Sequence, residues 1–458
     1  MFKSRELPDC LYQDQPTLVP PSRPTPKHSL YLSDLDDQKF LRFSIKYLYL
    51  FEKSLPPADL QASLSRVLID YYPLAGRLRA SSEEDGKLEV DCCGQGALFV
   101  EASMEITGQE FLEVSERPNR SWRKLLYKVE ARSFLDVPPL VVQVTKLRCG
   151  GMIMCTAISH CLCDGIGTSK FLHAWAHLTT KPNLDLPVDP FHSRHLLRHR
   201  TPPRVTFTHP GYSRTTPGRN DHADTDINTY LQGQPLVPVS VTFTASNILC
   251  LKRSCVPSQK CTTFEALAAH TWRSWVKSLD LSPLLYVKLL FSVNVRDKLD
   301  PGLPPGYYGN GFVLGCAETA VKNLVTGESL SNGVKLVQKA KSSLSDDENV
   351  RSIIDLLEDK TVKTDLSNSL VISQWSRLGL EELDFGQGRA MHMGPLTSDV
   401  YCLFLPVSGD VDAVRVLLSV PDSVAGSFEY YMKEFLDADN DSNVDTNGYH
   451  DVLENGFG

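Results

Sequence analysis

The sequence predicts an α/β protein of two lobes joined by a long connection. Three observations carry this. The 458 residues exceed the size at which a single hydrophobic core keeps growing, so two domains or one duplicated domain are expected. Strand-like runs alternate with helix-like periodicity in both halves. Between about 182 and 238 the pattern dissolves into Pro, His, Arg and Thr, the composition of a long surface connection. The partition is therefore an N-terminal lobe at 1–181, a crossover loop at 182–238, a C-terminal lobe at 239–436 and an acidic tail at 437–458. The tail is rich in Asn and Asp and poor in apolar residues, which predicts disorder.

Each element has a local reason. Pro20, Pro21, Pro24 and Pro26 fix φ and disfavour helix before them, so the opening runs extended. Residues 43–51 read as a strand, and Leu60, Leu64, Val67 and Leu68 follow at helical spacing. Two β-rich runs at 140–147 and 152–158 flank Arg148-Cys149-Gly150-Gly151, whose glycines admit a tight turn, giving a hairpin. After Gly165 and Gly167 a helix carries Phe171, Trp175 and Leu178 at i, i+4 and i+7, with Thr168 or Ser169 as its expected N-cap. His160 thus falls where a buried strand ends. In the second half 261–279 reads as helix, 287–295 and 411–420 as strands, and 428–436 as a closing helix.

Composition excludes several classes. A formal net charge of −8 argues against a general nucleic-acid binder. No window approaches the ~18 apolar residues of a membrane span, and Met1 to Glu6 lack the apolar core of a signal peptide; the expectation is a soluble, cytosolic monomer. The 12 cysteines include no pair of CxxC units and read as reduced thiols, without a structural zinc site. Asp437, Asp439 and Asp441 have calcium-loop spacing, but Ser442 replaces the turn glycine and Gly448 the bidentate glutamate. His173 and His177 stand four apart without the Glu of HExxH, so no metal is expected. There is no GxSxG elbow, phosphate-binding GxxxxGK[ST] loop or GxGxxG turn.

One segment carries chemistry. Ser159-His160-Cys161-Leu162-Cys163-Asp164-Gly165 holds an HxxxDG pattern at the strand end. Imidazole takes and returns a proton near neutral pH, and a strand end backed by a core fixes its ring, as a general base requires. Cys161 and Cys163 invite a Cys–His nucleophile instead, but a buried cysteine is usually an apolar filler.

Together with HxxxDG, the chain has Asp384-Phe385-Gly386-Gln387-Gly388 near its C-terminus. Further ordered matches are Ser22 to Pro26 with Leu30 to Ser33, Tyr71 to Leu78, Thr263 to Arg273, Asn294-Val295-Arg296, Gly306 to Asn310, and Trp375-Ser376-Arg377-Leu378. In these the chain resembles the plant BAHD acyl-CoA-dependent acyltransferases, whose signatures are HxxxDG and DFGWG. The resemblance implies two chloramphenicol-acetyltransferase-like lobes, each a mixed sheet with helices, with His160 in a channel between them and part of 373–405 a candidate to pair with the N-terminal lobe. It implies acyl transfer through a ternary complex. The donor is acyl-CoA, hydroxycinnamoyl-CoA or another, acting as co-substrate with no bound cofactor. The acceptor is the hydroxyl, or secondarily the amine, of a lipid, phenolic or steroid.

The resemblance also implies roles. Asp164 pairs with Arg296 and is architectural. Trp375 offers an N–H to the oxyanion with Ser373 as helper. Lys252 and Arg253 lie near the CoA phosphates, Arg351 contacts a carboxylated acceptor, and Asp384 is structural. Gln387 departs from the family tryptophan and loses an aromatic anchor. That departure leaves an alternative: a non-catalytic relative assisting very-long-chain fatty-acid elongation for cuticular wax.

Overall fold

The structure is a computed structural model that describes residues 6–115, 117–215, 227, 231, 233–255, 260–327, 329–397 and 401–442. Two large sheets organise it. The seven-stranded N-terminal sheet runs in the order Leu11–Tyr12, Ala97–Met104, Leu140–Leu147, Met152–Ser159, Ser44–Phe51, His392–Pro395, with Thr17–Val19 also paired to Ala97–Met104. The six-stranded C-terminal sheet runs Leu236–Phe243, Asp410–Pro421, Cys402–Val407, Ser369–Gln374, Tyr286–Asn294, Phe312–Ala320. Its centre is parallel and its edges antiparallel. His392–Pro395 comes from the C-terminal half yet pairs antiparallel with Ser44–Phe51, so the two halves share a sheet edge.

The strand that delivers His160 has all eight residues buried. It forms the expected hairpin with Leu140–Leu147 and pairs on its other side with Ser44–Phe51, where Ser159 faces Ser44. Helix Gly165–Thr180 packs on helix Pro57–Asp70, where the buried Trp175 indole donates to Ser63 Oγ at 3.0 Å. The N-cap of Gly165–Thr180 is Asp164, whose Oδ1 accepts from Gly167 N at 2.8 Å, and not Thr168 or Ser169. The expected cap is displaced because Gly165 and Gly167 sit inside the first turn. A Cβ at Gly167 would overlap the Tyr308 carbonyl, so the helix start approaches the other lobe only with glycine there.

The described part of the crossover is mostly exposed but pinned to the body at a few points. Leu197 is fully buried, and Arg200 is bound by Asp355 at 2.7 Å and Glu348 at 2.8 Å. A lone leucine and a charged residue three positions on have no repeat, so no hydrophobic periodicity marks them. Helix Asp422–Ser442 continues into the segment expected to be unstructured; extending a formed helix costs far less than nucleating one. The remainder of that tail lies outside the described residues. Among the described residues no helix is long and apolar enough to cross a membrane.

Burial of histidines makes stability pH-dependent. Burial lowers His270 to about 4 and His392 to about 3, against ~6.5 in an unfolded chain. Between these values the unfolded chain binds the extra protons, so stability rises with pH. The unfolding free energy from urea titration is therefore expected to fall steadily from pH 6.5 to 4, by roughly 2–4 kcal/mol per buried histidine, with the midpoint falling in step. A midpoint flat over that window would contradict it.

Candidate active site

His160 is held at its backbone from several directions. Its N–H donates to Phe43 O at 2.9 Å, carrying the ladder one residue past the strand. The chain then turns, with Leu162 N and Cys163 N both donating to Ser159 O. Asn310 Nδ2 donates to His160 O at 2.7 Å and to Asp36 Oδ1 at 2.9 Å. The ring packs against Phe43 and Phe312, centroids 5.2 and 6.0 Å away. Burial lowers the imidazole pKa, opposed by its own carbonyl, Asp164, Asn310 and Asp36. The ring is therefore neutral at physiological pH, the state a general base needs.

Asp164 joins the lobes. Its Oδ1 accepts from Arg296 Nη2 at 2.9 Å and its Oδ2 from Gly311 N at 3.0 Å, while Arg296 Nη2 also reaches Gly309 O at 2.7 Å. Burial alone would raise this carboxyl. Arg296 and the backbone N–H groups outweigh it and hold the pKa below the usual carboxylate value. The sequence expectation of an Asp164–Arg296 pair corresponds to this contact, and Asp164 has the added task of capping the helix.

His160 lines a cavity of about 890 Å³ walled by both sheets. Phe43, Tyr47, Phe312, Trp375, Tyr401 and Leu403 give it a mainly apolar lining. Ser373 and Trp375 lie in this wall, at the end of the parallel strand Ser369–Gln374. The Trp375 N–H donates to Ser373 Oγ at 3.1 Å, and the indole stacks on Tyr47 at 4.0 Å. Trp375 and its expected helper Ser373 are thus brought together as one hydrogen-bonded pair in the cavity wall, with the indole N–H already holding the hydroxyl as its acceptor.

The other candidates disperse. Lys252 and Arg253 occupy the last turn of helix Ala245–Arg253 and do not line the cavity. Lys252 lies close enough to Cys261, next to cavity-lining Thr262, to act on its thiol. Arg351 is placed elsewhere altogether, on helix Asp347–Leu357 with its guanidinium on Asp347 at 3.1 Å. That i, i+4 pair is an ordinary helix-surface contact, and the acceptor role is withdrawn. Asp384 closes its loop by accepting from Gly386 N at 2.6 Å and Gly388 N at 3.0 Å. Phe385 anchors it against Trp175 at 5.1 Å and Phe51 at 5.9 Å. Gln387 is exposed, so the loop keeps its anchors without an aromatic residue there. Burial pushes the Cys161 and Cys163 thiols well up and neither lines the cavity, so neither is a nucleophile.

Asp36, Asn310 and Arg194 escaped sequence reasoning. All three are fully buried behind the His160 turn. Asn310 ends the quoted Gly306 to Asn310 match, a signal that could have pointed to it; Asp36 and Arg194 gave none.

The Transferase family pattern matches residues 13–434. An omega-hydroxypalmitate O-feruloyl transferase of Arabidopsis thaliana is 34% identical over 440 residues, covering 93% of each chain. A fatty alcohol:caffeoyl-CoA acyltransferase of the same plant is 35% identical over 433 residues, covering 91% of this chain and 97% of its own. Among solved structures, vinorine synthase superposes with a TM-score of 0.67 at 20% identity, over 92% of this chain and 97% of its own.

Proposed function

The chain belongs to the Transferase family, the BAHD acyltransferases, and from that premise we propose that it moves a hydroxycinnamoyl-type acyl group from coenzyme A to the hydroxyl of a long-chain apolar alcohol. The single observation that carries this is a neutral histidine inside an apolar cavity built from both lobes. A cavity of about 890 Å³ lies at the upper end of ligand sites, enough for an acyl thioester and an acceptor end together. Its aromatic and aliphatic wall suits a chain more than a polyol. The activities for which the two Arabidopsis relatives are named, on omega-hydroxypalmitate and fatty alcohols, are of the same class.

In this reading the buried Nδ1 leaves Nε2 facing the cavity. Nε2 takes the acceptor's O–H proton as the oxygen attacks the thioester carbonyl. The oxyanion of the tetrahedral intermediate is met by the Ser373 hydroxyl, itself oriented by the Trp375 N–H. Collapse breaks the C–S bond, and the imidazolium returns the proton to the thiolate of CoA. No acyl-enzyme forms. Lys252 and Arg253, with the N-terminus of helix Thr263–Ser278 beside the cavity, form the side that receives the CoA phosphates. The protein works as a cytosolic monomer.

The test is release of free thiol from feruloyl-CoA or caffeoyl-CoA with and without acceptor. Release is expected only with acceptor, with kcat/KM rising from butanol to hexadecanol and 16-hydroxypalmitate. Acceptor-independent release, or a preference for the short alcohol, would overturn the reading.

A further inference from the structure

We propose that Arg194, delivered by the crossover, is a positioning residue for catalysis that ties the middle of the His160–Asp164 turn in place. The inference rests on the acyl-transfer reading above. Beyond its bonds within the N-terminal lobe, that turn is held at three points. Asn310 binds the carbonyl of His160, Arg296 and Gly311 bind Asp164, and Arg194 Nη2 donates to the carbonyl of Leu162 at 3.1 Å. The first two ties come from the C-terminal lobe; the third alone comes from the connection between the lobes.

Arg194 is placed with unusual force. Its side chain is fully buried, with the guanidinium 4.5 Å over the Tyr308 ring and 5.0 Å over Tyr307. Its Nε lies 3.9 Å from Asp36 Oδ2, and Asp36 binds both the backbone N–H and the side chain of Asn310. Two of the three ties thus share one buried carboxylate. Asp36 keeps the arginine charged, and its guanidinium fork reaches a carbonyl that a lysine ammonium would reach differently. The strap carrying Arg194 is itself registered on the C-terminal lobe: Phe191 bridges Tyr307 and its N–H donates to Gly306 O at 2.9 Å. A Cβ at Gly309 would overlap the guanidinium, so glycine is what lets the arginine in.

A catalytic ring displaced by about 1 Å loses about 10²-fold in rate. Arg194→Lys keeps the charge beside Asp36 while altering the tie to Leu162. Gly309→Ala expels the guanidinium while changing no charge. Each is expected to lower kcat per CoA-binding site by about 10- to 100-fold with both KM values within about twofold. The double variant is expected to lose no more than the worse single one, because both act through one contact. CoA-binding stoichiometry by calorimetry separates positioning from folding. Wild-type kcat per site in Arg194→Lys, a double variant showing the product of the single losses, or loss of CoA binding in proportion to turnover would each overturn the proposal. A wild type without turnover sinks the acyl-transfer reading and this inference with it. An active wild type with an equally active Arg194→Lys sinks this inference alone.

Discussion

His160→Ala is expected to lower kcat by about 10²- to 10⁴-fold while CoA binding and the melting temperature stay near wild type. The ring makes no hydrogen bond that the fold depends on: its backbone N–H and carbonyl carry the ties to Phe43 and Asn310, and alanine keeps both. What goes is the group that receives the acceptor's proton. Ring contacts to Phe43 and Phe312 are lost too, but they border a cavity and not a close-packed core. Acceptor-dependent CoA release, normalised to CoA-binding sites, measures the effect. A variant retaining more than about a tenth of wild-type kcat would remove the histidine from the chemistry.

Asp164→Ala is expected to act differently, losing stability and rate together. The substitution strips three donors of their acceptor: Arg296 Nη2, Gly311 N and Gly167 N. The side chains of Asp164 and Arg296 are only 6% and 11% exposed, so an arginine is left buried without its counter-ion, at a cost of about 3–5 kcal/mol. Urea unfolding reads this directly. At the same time the helix start loosens and the turn bearing His160 drifts. Asp164→Asn keeps an oxygen for Gly167 N and is expected to lose less of both. An alanine variant as stable as wild type would show that the pair is not what joins the lobes.

How much of this was legible follows from distance along the chain. The strand Met152–Ser159 and the turn after it could be read because eight successive apolar or small residues and two glycines are local signals. The same is true of the hairpin partner Leu140–Leu147. Where local signals compete, local reading chose wrongly: Gly165 and Gly167 read as preceding the helix, so the capping rule pointed to Thr168 or Ser169, whereas the helix takes both glycines into its first turn and is capped by Asp164. Arg351 shows the opposite failure, a helix-surface ion pair taken for a ligand contact.

The buried polar group behind His160 could not be read at all from spacing. Asn310 and Asp36 are 274 residues apart and Arg194 is 32 from Leu162. Nothing in the periodicity of 182–238 separates a buried arginine from the exposed ones around it. Trp375 lies between these cases. Its place in the cavity wall was reachable through the resemblance, but the bond from its N–H to Ser373 belongs to the geometry of one strand end.

The pH dependence of kcat/KM for acceptor-dependent CoA release, in wild type and in the residual activity of His160→Ala, tests the central claim most directly. Burial lowers the His160 pKa, and only the neutral ring accepts a proton. Wild-type activity should therefore fall on the acid side with an apparent pKa below the ordinary histidine value of ~6.5 and hold level above it, while the variant's residual rate lacks that limb. An acid limb that persists unchanged in His160→Ala would contradict the account.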